Sequence, residues 1–333
     1  MKAIGCQKTF ATEYINTLVD IELPMPIATG HDLLVEIKAI AVNPIDYKVR
    51  KTQTNEDEHR VLGWDAAGIV KKVGDKVSLF KLGDEVWYAG DLMRSGCNSE
   101  FQLVDERIVG LKPKSLSFEQ AAALPLTGLI AWELLFDRLK IPQNKKASLL
   151  ITGAAGGVGS ILVQLARQLT ALTIIGTASR ENSQAWIKNN GAQYVINHSQ
   201  PLQQQLINLG INEVDYVISL THSDQHAEDL VSCLKPQAKF ALIDEPMNID
   251  IKLFKRKSLS LHWEMMFTRS LYATEDMIKQ HKILNQIADL VDEGTLRTTL
   301  NENFGTINAN NLNRAHKLLE TGQALGKIVL SGF

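Results

Sequence analysis

The sequence predicts an α/β protein in which a doubly wound parallel sheet follows a β-rich module. Three observations carry this reading. Short strand candidates with a period of two crowd the first third of the chain. From Ser148 onward, apolar strand segments alternate with helical ones. The first of those strands, SLLIT (148–152), runs directly into a glycine-rich turn and a helix.

Taken in order, HDLLVEIKAIAVN alternates apolar and polar residues over Leu33 to Ala39, the period of a half-buried strand. AAGIVKKVG and GDEVWYAG continue the pattern, and Gly-Asp pairs at 74–75 and 83–84 supply the turns. NSEFQLVDERIVGLKP adds two short strands that end at Pro113, completing a barrel-like module. SFEQAAALPLTGLIAWELLFDRL is helical, opened by a capping box between Ser117 and Gln120 and divided into two helices around Pro125 and Gly128. ALTIIGT, AQYVIN, VDYVISL and AKFALID are the further strands of the parallel sheet, and SLSLHWEMMF is a sixth. TEDMIKQHKILNQIADLVDEG reads as a long amphipathic helix with Met277, Ile278, Leu284, Ile287 and Leu290 near helical spacing. GKIVLSGF is the last strand candidate.

The 333 residues suffice for two domains. The composition is globular, 45% hydrophobic and 22% charged, and a net charge of -2 argues against nucleic acid or an anionic membrane as partner. Cys6, Cys97 and Cys233 lie far apart and form no CxxC pair, so they read as reduced, structural thiols. The opening MKAIGCQKTF lacks an apolar run and a cleavage site, and no window holds 18 uninterrupted apolar residues. The expected location is cytoplasmic.

Ala154-x-Gly156-x-x-Gly159, with Gly157 and Val158 inside it, fits a dinucleotide-binding fingerprint with alanine at the first position. Small residues are needed there. The chain must leave the strand sharply, its backbone must approach a pyrophosphate, and the helix must pack closely while its N-terminal N–H groups face the phosphates. The strand before the turn and the helix after it are the context that distinguishes this motif from a chance match, and they make the parallel sheet a Rossmann sheet. Twenty residues after Gly159 stands Ser179, followed by Arg180, and no acidic residue intervenes. An NAD site places a carboxylate near this position to accept from the ribose 2′-OH. A hydroxyl and a guanidinium would instead donate to a 2′-phosphate. The pair therefore reads as an NADPH site, or as a solvated Ser-Arg at a strand end.

Beyond these motifs the chain resembles the medium-chain dehydrogenase/reductase superfamily, and within it the zinc-free quinone oxidoreductase branch that includes zeta-crystallin-like proteins. It is also similar to the group called zinc-type alcohol dehydrogenase-like. AVNPIDYKVR (41–50), VLGWDAAGIV (61–70), GDEVW (83–87), AAALPLTGLIAWELL (121–135), GAAGGVGS (153–160) and GKIVL (326–330) carry the resemblance, in order and over nearly the whole chain. It implies a GroES-like β-barrel domain made from residues 1–123 and 267–333, with a Rossmann NADP(H)-binding domain, 124–266, inserted between them. It also implies an active site in the cleft between the domains and a homodimer formed through the sixth Rossmann strand.

Zinc in the alcohol dehydrogenase branch is held by Cys, His and Cys with a nearby Glu. The His-Glu pair would fall at Trp64 and Asp65, and no cysteine lies near NPID. His222 and His226, four apart, lack a visible third ligand. No metal is expected. Without a Lewis acid, electron-poor alkenes and quinones are better hydride acceptors than an unactivated ketone. The expectation is an NADPH-dependent reductase of a quinone or α,β-unsaturated carbonyl. An alcohol or aldehyde oxidoreductase, or a dinucleotide-binding protein without turnover, are the alternatives.

Among candidate residues, Asn43 is either a contact to the nicotinamide ribose or substrate, as the resemblance implies, or a turn residue before Pro44. Tyr47 is a candidate proton donor or a packing residue. Asp65 is expected in a polar network beside Trp64. The resemblance places Thr127, Leu220, Ile243, Met266 and Phe267 near the nicotinamide and Tyr194 beside the adenosine phosphate. It gives Lys327 a cofactor contact; a surface lysine is the other reading. Asp244-Glu245-Pro246 departs from the glycine-rich loop of relatives.

Overall fold

The computed structural model describes residues 1–6, 18–52 and 59–333. They form two compact units, Met1–Leu129 with Phe267–Phe333, and Ile130–Met266. The first part of unit 1 runs β1 (Lys2–Cys6), β2 (Leu18–Glu22), β3 (Asp32–Ala41), α1 (Pro44–Thr52), β4 (Arg60–Val61), β5 (Ala66–Val73), β6 (Glu85–Tyr88), β7 (Phe101–Asp105), β8 (Val109–Leu111), α2 (Phe118–Ala122) and α3 (Pro125–Trp132). Unit 2 continues with a π-helical turn at Glu133–Arg138, β9 (Ala147–Thr152), α4 (Gly157–Leu169), β10 (Leu172–Thr177), α5 (Glu181–Asn189), β11 (Tyr194–Ile196), α6 (Leu202–Asn208), β12 (Val214–Ser219), α7 (Ser223–Cys233), β13 (Leu234–Leu242), α8 (Lys252–Lys255) and β14 (Ser260–Trp263). The chain then returns to unit 1 as α9 (Thr268–Leu271), α10 (Lys279–Asp292), β15 (Leu300–Asn303), α11 (Ala309–Glu320) and β16 (Lys327–Ser331).

The first change of unit falls at 129/130, inside α3, and not at the texture change of 123/124. The start of α3 belongs with unit 1 for a local reason. The Leu126 N–H donates to Asp65 (3.2 Å), and Gly128 faces Ile287 so closely that a Cβ would lie 2.9 Å from its Cδ1. The capping box is present, with Ser117 and Gln120 exchanging side-chain and backbone bonds.

Unit 1 is a β-rich domain. Its main sheet runs β15-β16-β3-β5-β6-β8, with β7 also paired to β3, and a smaller sheet runs β2-β1-β4. β3 has three partners: β7 along Asp32–Glu36, β5 along Leu33–Ile40, and β16 at Ala39–Ala41. The expected half-buried alternation holds from Val35 to Ala39, with Glu36 and Lys38 partly exposed between buried Val35, Ile37 and Ala39, and is broken only at the start, where Leu33, Leu34 and Val35 are all buried. Leu34 is therefore buried although it falls on the face that carries Glu36 and Lys38.

Unit 2 is a six-stranded parallel sheet in the order β11-β10-β9-β12-β13-β14. The order reverses between β9 and β12, the switch point at which doubly wound sheets bind nucleotides. Leu150, Ile175, Val217, Leu230 and Phe240 centre its core. Register aligns the strand ends: Thr152 pairs with Ser219, Thr177 with Ile196, and Ser219 with Leu242. The loops after β9, β10, β11, β12 and β13 therefore leave one common rim. No helix among the described residues is long and apolar enough to cross a membrane.

Candidate functional site

The glycine turn sits on that rim. Gly153 has φ +66°, a left-handed conformation that other residues adopt only under strain. Gly159 is held against the turn so tightly that a Cβ would come within 2.5 Å of the Ala154 backbone. Gly156 stands at the N-cap of α4 with no side-chain cap bond, and Gly156, Gly157 and Val158 are partly exposed. The first turn of an α-helix leaves N–H groups without intrahelical partners, and the macrodipole adds positive potential there. A pyrophosphate fits this cradle by its chemistry. Ser160 Oγ donates to the Gly156 carbonyl (2.7 Å) and accepts from Trp186 Nε1 (2.8 Å), which fastens the turn to α5.

Ser179 and Arg180 follow β10 after the buried Ala178 and both are exposed, with Arg180 at the N-cap of α5. Tyr194 opens β11 opposite Ile175, two residues short of the rim, and is 37% exposed. Leu220 and Ile243 follow β12 and β13 and are partly buried. Met266 ends unit 2 and Phe267 resumes unit 1, and both are buried. The unexpected Asp244 has a local task. Its carboxylate accepts from the N–H and hydroxyl of Ser223 at the start of α7, where acidic groups are favoured.

Unit 1 gathers a second polar cluster, which is buried. Lys327 Nζ lies 2.6 Å from Asn43 Oδ1, 2.9 Å from the Val42 carbonyl and 3.1 Å from Asp65 Oδ2. Asn43 Nδ2 donates to Asp65 Oδ2 (3.1 Å), and the Asn43 N–H donates to Asp46 Oδ2 (2.9 Å). Asn43, Asp46, Asp65 and Lys327 are each at most 3% exposed. Lys327 is thus a buried cation rather than a surface lysine. Three separate segments build the cluster: the loop into α1, the start of β5, and β16. Burial pushes Asp46 up to about 7, against the pull of the Asn43 N–H and Lys327. Burial likewise raises Asp65, opposed by Lys327 and Asn43. Thr127, also buried, donates its hydroxyl to the Leu124 carbonyl (3.2 Å). Tyr47 is partly exposed, and its ring lies 5.1 Å from Lys51 Nζ.

Asp46 is the residue that sequence reasoning passed over. Its place was visible as the third residue after Asn43, the spacing at which an N3 side chain reaches back to the N-cap N–H, but its burial was not.

A zinc ion does not fit these residues. Asp65 is committed to Lys327, Asn43 and the Leu126 N–H. Trp64, beside it, is buried and donates Nε1 to the Asp91 carbonyl. Cys97 directs Sγ to the Asp65 carbonyl (3.6 Å), and burial raises its thiol far from the thiolate that zinc requires. Among the described residues no group of three or more His, Cys, Asp or Glu could hold a metal ion.

A family model for the alcohol dehydrogenase GroES-like domain matches residues 29–130, and one for zinc-binding dehydrogenases matches residues 190–330. A zinc-type alcohol dehydrogenase-like protein of Staphylococcus epidermidis is 40% identical over 99% of both chains. The chain belongs to the medium-chain dehydrogenase/reductase superfamily. A quinone oxidoreductase of Mus musculus is 31% identical over 69% of each chain. A crystal structure described as a putative zinc-dependent alcohol dehydrogenase from Rhizobium etli superposes with TM-score 0.95 at 52% identity, covering 100% of this chain and 98% of that one. As a medium-chain dehydrogenase/reductase this protein is an oxidoreductase with a dinucleotide-binding domain. The positions that the zinc-dependent pattern gives to His and Glu are taken here by Trp64 and by an Asp65 already paired with a lysine.

Proposed function

We propose that this protein is an NADPH-dependent reductase of quinones or α,β-unsaturated carbonyls that works without metal. The observation that carries the coenzyme assignment is the exposed Ser179–Arg180 step at the end of β10. An acceptor carboxylate is missing over the whole stretch from Gly159. A guanidinium and a hydroxyl there favour a phosphate ester over a free ribose hydroxyl. The bound nicotinamide supplies the hydride. Ala154 and Gly156 to Gly159 seat the pyrophosphate, and Leu220, Ile243, Met266 and Phe267 offer apolar surface that keeps water from the ring. Asn43, held by Lys327 and Asp65, is the polar contact for nicotinamide ribose or acceptor oxygen, and Thr127 lies on the same unit. Tyr47 or water returns the proton. The acceptor class follows from the misfit of zinc, since these substrates yield a stabilised enolate or hydroquinone anion without a Lewis acid. The quinone oxidoreductase from mouse supports this class.

The assembly proposed is a homodimer. β14 closes one end of the parallel sheet and carries exposed Trp263. An apolar sheet edge of this kind calls for a covering partner. Light scattering should give a mass near twice 37.0 kDa.

The test is NADPH and NADH consumption with a panel of quinones, enones, aldehydes and alcohols, together with metal analysis. NADPH-driven reduction of quinones or enones by metal-free protein is expected. Arg180→Ala should weaken NADPH binding about 10- to 100-fold, the size of a lost charged hydrogen bond, and leave NADH binding nearly unchanged. Alcohol oxidation with stoichiometric zinc would replace this reading with an alcohol or aldehyde oxidoreductase. Tight NADPH binding without turnover would leave a non-catalytic binder.

A further inference from the structure

Three imidazoles gather on the rim of the parallel sheet, contributed by segments that the coenzyme fingerprint does not include. His198 leaves the end of β11, and its Nδ1 lies 3.3 Å from the hydroxyl of Thr177, the last residue of β10. His226, on α7, sets its ring centroid 5.9 Å from that of His198. His222 precedes α7 with φ +52°, and its Nδ1 lies 2.8 Å from Thr221 Oγ1. Thr221 in turn flanks the glycine turn, where a Cβ on Gly153 would meet its Cγ2 at 3.1 Å. The imidazoles therefore bridge the rim from the pyrophosphate cradle to the Ser179–Arg180 step.

The charges around them are unbalanced. The charged groups acting on His198 are His226, His222 and Arg180, all of one sign when protonated. His226 is acted on by His222 in the same sense, and by Asp229 and Asp224 of its own helix in the opposite sense. Burial first, and then mutual repulsion and Arg180, hold His198 below its ordinary value of 6.5. Burial and His222 do the same to His226. The neutral form of His198 and His226 is thus favoured beside the permanent cation of Arg180. Among the described residues the imidazoles do not belong to a group able to hold a metal ion. What would complete the cluster is a compact polyanion, which stabilises protonated imidazole through charge-assisted hydrogen bonds.

We infer that His198 and His226, with His222 beside them, form a proton-coupled subsite for the 2′-phosphate of NADPH, taking up a proton from solvent as the phosphate docks beside Arg180. The inference rests on the NADPH reading above and goes beyond it. With arginine alone the preference would follow only the ionisation of the phosphate ester, whereas the imidazoles add a dependence of the opposite sign. Binding NADPH consumes a proton and binding NADH does not.

The experiment measures dissociation constants of NADPH and NADH between about pH 5.5 and 8.5 for the wild type, His198→Gln and His226→Gln. Calorimetry in buffers of different ionisation enthalpy counts the protons. The expected result is proton uptake with NADPH only. The ratio of NADPH to NADH affinity should fall with rising pH, by up to about tenfold per unit for each proton taken up. Both variants should reduce the uptake and flatten the ratio, while NADH binding reports that the fold is intact. The phosphate ester ionises in the same range but with opposite slope, and it does so equally in all three proteins. A strong NADPH preference with no proton uptake, or with uptake that survives both substitutions, overturns the imidazole subsite and leaves the NADPH reading standing. Equal affinity for both coenzymes at every pH overturns both.

Discussion

The two polar clusters of this molecule spend their donors in opposite ways. On the rim of unit 2, the first turn of α4 has no side-chain cap, and Ser179 and Arg180 face solvent. In unit 1, Lys327 places Nζ against a carboxylate, an amide oxygen and a backbone carbonyl, all buried. A surface of uncapped, exposed donors acts by contact with a ligand. A buried network acts by fixing its own members, Asn43 among them. Polar groups are thus left open to a ligand in one unit and spent on framework in the other, and burial decides which.

The sharpest way to break the comparison is to remove the buried cation. Lys327→Met leaves Asp65 fully buried without its counter-charge and should cost about 3–5 kcal/mol in urea unfolding. Adding Asp65→Asn should recover much of that loss. A cost below about 1 kcal/mol would mean that the pair behaves like a surface ion pair and that the framework role is wrong.

The rim offers a smaller and more selective pair of changes. Gly159→Ala drives a Cβ to 2.5 Å from the Ala154 backbone. About 1–3 kcal/mol of stability should go with it, and coenzyme binding should fall as the cradle opens. At Gly156 a Cβ meets nothing nearer than the Gly153 carbonyl oxygen at 3.4 Å. Gly156→Ala should therefore keep its melting temperature and lose coenzyme affinity alone. Equal melting losses in both variants would show that the turn is simply a packing feature.

The effects confined to part of the pH range come last, and two buried groups of unit 1 have opposite signs. Asp46 is raised from 3.8 to about 7, so the native state keeps a proton that the unfolded chain releases. Its contribution to stability is complete below the lower value and is lost as pH rises to the upper one. Asp46→Asn, which mimics the protonated acid, should gain on the wild type across that window. His316, fully buried, is lowered from 6.5 to about 3 by burial. Its contribution is complete above 6.5 and is lost as pH falls towards 3. His316→Leu should flatten the acid limb of a plot of melting temperature against pH. Parallel curves for variant and wild type would contradict either assignment.

Much of the fold was legible because local rules and tertiary packing agree. Ser117 and Gln120 cap a helix as their spacing requires, and the apolar runs at Leu149–Ile151, Ile174–Ile175 and Val217–Ile218 became parallel strands. Local signals failed where partners are remote. Nothing near Leu33 reveals that β3 will be enclosed by three strands. They also failed at α11, whose buried Leu312 and Ala315 sit among Asn310, Asn311 and Asn313, poor helix formers that mask its period. At the sites, the glycine turn is contiguous in sequence and could be read directly. Lys327 lies 284 residues from Asn43, so its burial and its bond to Asn43 were beyond any local pattern. The three histidines were visible only as a pair four apart, since His198 joins them from another strand.

The even register of the parallel strands carries one more consequence. Because β9 to β13 finish level, the segments to which the NADPH proposal assigns coenzyme choice are loop tips on a shared platform. On that proposal, exchanging those tips should alter coenzyme choice with the hydrophobic layers beneath left untouched.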